Sequence, residues 1–319
     1  MNDALMVVIA AQAVTAAVPL VLAGTGELLA QRAGMLNVGI EGLLLTGCIA
    51  GFTGAALGGC AWIGLAAAII AAALLAALFA WATVVMRCDQ IVTGMAINLL
   101  AVGGSGTAWL VAQGQGYAEL PANAGFSRGI VPGLSDATQA WLRDLPFIGP
   151  LVFDQYGLAL AMALIAATAW WLLVRTRIGV IIHALGDAPD ACAANGIAVR
   201  RWRVGLVILA GALAGAAGAY LSIMRTHGFS PLMTGGMGFV VLALVIFGRW
   251  HVGGLVAACL GFGVIDALQS HLQSRGLNAV IPYQVFQALP FIVALIALAA
   301  MRRGTSGPRL LGQAWPTER

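Results

Sequence analysis

GMLNVGIEGLLLTGCIAG, residues 34–51, places a carboxylate and an amide at the mouth of a run that is otherwise apolar. Glu41 and Asn37 are four residues apart, so on a continuous helix they share one face. Gly34, Gly39, Gly42, Gly47 and Gly51 interrupt the same run. A charged side chain in a lipid-facing helix costs roughly 2.5–3.5 kcal/mol on insertion scales. It persists where it faces protein, water or a passing solute. The stretch is therefore expected to line a pathway.

The rest of the chain sets the context. Its 319 residues are 61% hydrophobic and 9% charged, with a mean hydropathy of +0.95. Soluble domains carry about 25% charged residues. The composition is that of an all-α, polytopic integral membrane protein with lipid around it. The net charge of +4 follows membrane topology and implies no nucleic-acid partner. All 16 basic residues are arginine. A phosphate-binding loop with its lysine, or a Schiff-base lysine, cannot be built from this chain. If ATP drives its work, another subunit hydrolyses it. Cys48, Cys60, Cys88, Cys192 and Cys259 are scattered, and His183, His227, His251 and His271 have no ligand spacing. No metal site, no cofactor and no covalent chemistry are expected, so the chain does not read as an enzyme. The N-terminus lacks a basic leader, and residues 4–24 read as a retained first helix.

Nine spans are expected, with eight to ten compatible: 4–24, 34–57, 60–86, 90–112, 155–174, 204–224, 232–248, 252–273 and 281–301. Together they make residues 1–319 a single transmembrane domain. With the N-terminus outside and the C-terminus inside, twelve arginines fall in inside segments and four (Arg128, Arg143, Arg225, Arg275) outside. The opposite orientation inverts that ratio, so arginine placement favours N-out and C-in. Residues 113–153 then form an outside loop, in which 134–145 is either a short surface helix or part of an irregular lid.

Residues 175–203 form an inside loop flanked by arginines. Gly186-Asp187-Ala188-Pro189 marks a helix start with proline near its first position. Asp190 to Ala194 continue it, and Asn195-Gly196 stop it. Such a helix is either a docking element for another subunit or an ordinary amphipathic surface helix.

GFSPLMTGGMGFVVLALVIFG, residues 228–248, repeats the design of the opening stretch. It enters through Pro231, Thr234, Gly235, Gly236 and Gly238 before a short clean apolar run. Each broken stretch follows one ordinary span. Spans 1–4 and 6–9 then fit two halves of opposite orientation, an arrangement that puts a solute site between broken helices. The pathway or gate candidates are Asn37, Glu41, Thr93, Asn98, Gly235, Gly236 and Met237. Asp266 is a second intramembrane carboxylate. Glu27 and Arg32 flank the turn after the first span and are placed to pair. Trp62, Trp109, Trp202 and Trp250 read as interfacial anchors. Gly211, Gly215 and Gly218 form a smooth face for close helix packing.

The motifs resemble those of bacterial ABC importer permeases, the family serving branched-chain amino acid, simple-sugar and nucleoside uptake. The resemblance is carried by Gly26-Glu27, by Gln31 to Gly42, by Asp89 to Gly94, by Arg175 to Gly179, by Ala184 to Pro189, by Gly211 to Gly215 and by Ala243 to Trp250. Gln31, Asp89 and Asp187 stand where the family often has Glu, Ala and Glu. The nucleoside branch is nearest. The resemblance implies a bacterial inner-membrane permease with three partners. These are a cytoplasmic ATPase pair that binds ATP and Mg, a second similar permease as hetero- or homodimer, and an extracytoplasmic substrate-binding protein. It also implies that residues 183–199 form the coupling helix, with Gly186, Asp187, Ala188, Asp190, Asn195 and Gly196 at the ATPase.

On this reading the solute is a nucleoside or nucleobase, with a sugar, a riboflavin-like compound or a branched-chain amino acid as alternatives. Asn37 and Asn98 offer amide groups suited to a base or ribose edge. Glu41 either contacts solute or serves a structural gate near Arg32. An ion-coupled secondary transporter working through Glu41 or Asp266 is the competing class.

Overall fold

A computed structural model describes residues 2–117, 120, 157–274, 307–313 and 315. The expected ninth span and most of the expected outside loop lie outside the described residues. Every described regular element is helical. The helices are α1 (Asn2–Arg32), α2 (Ile40–Gly58), α3 (Ala61–Ala80), α4 (Gln90–Gly114), α5 (Gly157–Arg175), α6 (Arg177–Asp187), α7 (Pro189–Ala194), α8 (Val199–Ala219), α9 (Met237–Phe247) and α10 (Val252–Ser274). Both α3 and α8 end in a π-helical turn, Trp81–Val85 and Tyr220–Arg225. Six of the described helices are long and apolar enough to cross a membrane, or seven if the bent α5–α6 pair counts as one. The seventh expected span is only the 11-residue α9, because Pro231 to Gly236 are not helical.

The first helix runs further than expected, to Arg32. Gly34, at φ +86°, ends it: its N–H reaches Gln31 O while Met35 N–H reaches Ala30 O. This double closure is the Schellman stop, and it needs a residue that tolerates the left-handed region.

At the centre of the bundle α8 packs against α1, α2 and α3. The expected small-residue face makes this possible. A Cβ on Gly215 or Gly218 would collide with the backbone of Ala68 on α3 or Leu44 on α2. Burial of Leu20, Leu22, Leu43, Leu44, Phe79 and Tyr220 fills the remaining core.

A 78° bend separates α5 from α6. The expected inside loop therefore holds α6, which was not anticipated, as well as α7. Ile182 and Leu185 face inward from α6, and Cys192 faces inward from α7. Arg32, Gly186, Arg203 and Trp250 gather at this end of the bundle. Arg225 lies beyond the far end of α8, where it pairs with Asp266 at 3.2 Å on a partly exposed surface. Asp266 is thus matched by a cation and is not brought to the centre.

Candidate functional site

Asn37 and Glu41 do not share a helical face. The helix starts at Ile40, and residues 35–37 have no regular structure. The reason is tertiary: neighbouring side chains supply the hydrogen bonds a helix would have supplied. Gln90 Oε1 accepts the Leu36 N–H at 2.7 Å, and Glu27 Oε1 accepts the Asn37 N–H at 3.3 Å. Asn98 Nδ2 donates to Val38 O at 3.0 Å, and its Oδ1 accepts the Gly42 N–H at 2.8 Å. Asn37 Oδ1 accepts the Gly39 N–H at 3.0 Å. Gly94 on α4 lets Gly39 approach, since a Cβ there would sit 2.7 Å from Gly39 N.

Glu41 lies in the first turn of α2 and faces the start of α9. Its Oε1 accepts Thr234 Oγ1 at 2.5 Å and the Gly236 N–H at 2.9 Å, and its Oε2 accepts the Gly238 N–H at 2.6 Å. The free amide groups and positive dipole end of a helix N-terminus favour such an anion. Gly235 and Gly236, at φ +54° and +87°, turn the chain so that these N–H groups converge. Gly238 has a second role. A Cβ there would sit 2.5 Å from Glu41 N and 2.6 Å from its Cα, so only glycine lets the two helix starts touch. The two broken stretches meet as a clasp, with Glu41 as its tie.

Glu41 lies deeper than a position beside Arg32. Gly47 packs on Gly215, and Gly51 on Ala219, so α2 and α8 run the same way and Glu41 is level with about Ala210. Gly26 of α1 packs on that same Ala210. From Gly26, α1 continues to Arg32, about 9 Å further at the ordinary helical rise. Arg32 does not pair with Glu41 or Glu27. Its Nε donates to Trp250 O at 2.8 Å. Trp250 is also no interfacial anchor: it is buried, and its indole N–H donates to Gln31 Oε1 at 2.7 Å. Gln31 Nε2 in turn donates to Glu27 Oε1 at 3.0 Å.

The expected pathway residues thus separate. Glu41, Gly235 and Gly236 come together, and Met237 opens α9 beside them. Asn98 commits its amide to the backbone of the entering stretch. Asn37 commits its oxygen, and its Nδ2 is buried with no partner among the described residues. Neither amide presents itself to a solute in this state. Thr93 spends its hydroxyl on Asp89 O at 2.7 Å, in its own helix. The structural partners outside the expected pathway set are Thr234, Gly238, Gly94 and Gln90. The signal for all four was local: each lies within a broken stretch or the Asp89–Gly94 motif.

The expected coupling residues also divide. Asp187, Ala188, Asp190, Asn195 and Gly196 are exposed. Gly196, at φ +76°, stops α7, with Ile197 N–H returning to Cys192 O. Gly186 is buried instead. A Cβ there would strike Arg32 O, so it seats α6 against the end of α1 and presents nothing outward.

Residues 9–298 match the family described as branched-chain amino acid transport system, permease component. A putative glucose ABC transporter permease, TsgC13 of Haloferax volcanii, is 31% identical, covering 91% of this chain and 90% of that one. The guanosine ABC transporter permease NupQ of Bacillus subtilis is 31% identical, covering 93% of this chain and 92% of that one. The nucleoside ABC transporter permease NupC of Lactococcus lactis is likewise 31% identical, with 92% of each chain covered. No solved structure matches.

Proposed function

The chain belongs to the family of branched-chain amino acid transport permeases, and on that premise we propose that it forms the solute pathway of an ABC importer for a nucleoside or nucleobase. As a member of that family it is a multi-pass ABC transporter permease subunit and not an enzyme. Power comes from a separate cytoplasmic ATPase that binds ATP and Mg, in keeping with a chain that has no lysine for a phosphate loop. A second permease completes the pathway, and an extracytoplasmic binding protein delivers the solute.

The observation that carries the mechanism is the Glu41 clasp. It ties the starts of two broken helices with three hydrogen bonds inside the bundle. Such a joint is a bistable element: opened, it frees the N–H groups of Gly236 and Gly238 and the carboxylate for water or solute. ATPase closure moves α7, the bundle shifts, and the clasp opens or closes the path. Glu41 is a gate residue in this scheme, and Asn37 and Asn98 hold the gate's backbone.

The solute assignment is supported by the two nucleoside-transporting relatives, and the glucose relative of equal identity favours a sugar as the second reading. Uptake of labelled guanosine and glucose, in cells with and without this gene, separates them. Loss of guanosine uptake with glucose uptake intact is the expected result. The reverse pattern makes the chain a sugar permease. Uptake that survives deletion of the ATPase makes it a secondary transporter.

A further inference from the structure

The C-terminal residues 307–313 and 315 lie across the arginine-rich end of the bundle like a strap. On one side the strap holds the coupling region. Leu310 N–H donates to Gly186 O at 3.0 Å, Arg309 N–H donates to Asp187 Oδ1 at 3.0 Å, and the Trp315 indole N–H donates to Asp190 Oδ1 at 2.8 Å. On the other side it holds the stretch that leads to the clasp. Gly312 N–H donates to Gly34 O at 3.1 Å, and Gln313 O accepts Gln90 Nε2 and Arg203 Nη1, each at 3.5 Å. Gln90 is the side chain that holds Leu36. Gly307 lies against the Trp250 ring, whose indole holds Gln31. One short segment is therefore bonded to residues 186–190 and to the segment just before Glu41.

Packed side chains and hydrogen bonds carry coupling between distant groups when both ends bias the same element. The strap has that form. Its position is fixed by Gly312, at φ +78°, which turns the chain so that the N–H faces Gly34. Pro308 adds a packing contact against Gly186.

We propose that residues 307–313 and Trp315 relay displacement of the coupling helix to the Glu41 clasp, with Leu310, Gly312, Gln313 and Trp315 as positioning residues. The proposal rests on the reading of this chain as an ATPase-driven permease. The relay acts beside the direct contact of Gly186 with Arg32. It spans α7, the end of α6 and the residue 34–36 segment, so that they shift together.

The test uses the complete complex with ATPase and binding protein in proteoliposomes, and reads solute moved per ATP hydrolysed. In a chain ended before Gly307, the ATPase is expected to co-purify as before and ATP hydrolysis to continue. Transport per ATP falls roughly tenfold, the size of an ordinary coupling between two sites. An unchanged ratio overturns the relay. Loss of the ATPase from the complex also overturns it, since the strap is then part of the docking surface. Trp315→Phe keeps an aromatic ring in place and removes the indole N–H, so it decides the matter if the shortened chain does not fold. A fall of roughly threefold in the ratio at an unchanged melting temperature is expected, the weight of one hydrogen bond. No fall overturns the proposal. A wild-type complex that moves solute without ATP refutes the permease reading itself, whatever the variants do.

Discussion

The carboxylate of Glu41 and the backbone N–H of Gly238 are joined at 2.6 Å across 197 residues of chain. This bond and its two companions put the start of α2 against the start of α9. The start of α9 has N–H groups without partners in its own helix, and one side chain answers three donors there at once. The joint is therefore stable when made and leaves several groups exposed to a replacement when broken. That is the property a gate needs, and it makes the consequences of substitution specific.

Glu41→Ala orphans the Gly236 and Gly238 N–H groups and the Thr234 hydroxyl. A buried donor without a partner costs about 1–3 kcal/mol. The expected result is a lower melting temperature in detergent and a transport loss of roughly tenfold or more, with the ATPase still bound. Glu41→Gln keeps acceptor capacity on one side and turns a donor toward the other. It is expected to fall between wild type and Glu41→Ala in both measurements. Dissociation of the whole complex by Glu41→Ala makes the residue a folding element and ends its assignment as a gate.

Two glycines three residues apart separate close approach from backbone conformation. Gly238→Ala forces a Cβ into the Glu41 backbone, which cannot yield without parting α2 from α9. Gly235 has open space around its Cβ position, and its only demand is φ +54°. Alanine there costs about 1–2 kcal/mol of left-handed strain and no packing. Transport assays are therefore expected to show Gly235→Ala active and Gly238→Ala inactive. Equal losses in the two variants refute the close-approach account.

Substitutions around α7, the proposed coupling helix, are expected to divide by burial. Ala194 is exposed at the end of α7, so Ala194→Trp leaves stability within about 0.5 kcal/mol of wild type. It is expected to weaken ATPase co-purification by blocking the docking surface. Gly186→Trp drives a ring into the end of α1 and is expected to unfold this end of the bundle, with a lower melting temperature. A Gly186 variant that melts normally yet releases the ATPase moves Gly186 to the docking surface.

The membrane class, the crowding of arginine at one end and the stop at Asn195-Gly196 were all legible in the sequence. Each is written locally, in hydropathy, charge or a cap residue. The pairing of the two broken stretches was half legible. Their glycines and polar residues marked both as unusual, but not that Glu41 serves as the cap of α9. The shared face of Asn37 and Glu41 failed for a physical reason. Gln90, Glu27 and Asn98 hold residues 36–38 in a non-helical path, and such distant partners leave no local signal. Helix α6 was missed although Ile178, Ile182 and Leu185 recur at helical spacing, because the arginines around it read as a loop. The strap, residues 307–313 and 315, has no periodicity at all. Its structure is written in the groups it meets.

Cys192 offers a chemical report on α7. Its thiol is buried in the cluster formed by Ile182, Leu185, Val199 and Leu206, with Trp315 beside it. Burial raises its pKa above the ordinary thiol value of 9.0, while the charge of Arg203 opposes that shift. The thiolate is the reactive form, so maleimide labelling at pH 7 is expected to be slow, and the thiolate fraction to rise about tenfold per pH unit below the pKa. The measurement needs Cys60 and Cys88, the two thiols that are not buried, replaced by serine. Cys48 and Cys259 are buried inside spans and label more slowly still. If α7 and the strap move together during the ATPase cycle, nucleotide trapping of the complete complex changes the Cys192 labelling rate. Trp315→Ala, which uncovers one side of the cluster, is expected to raise that rate in every nucleotide state. A rate unaffected by Trp315→Ala separates the strap from α7 in solution.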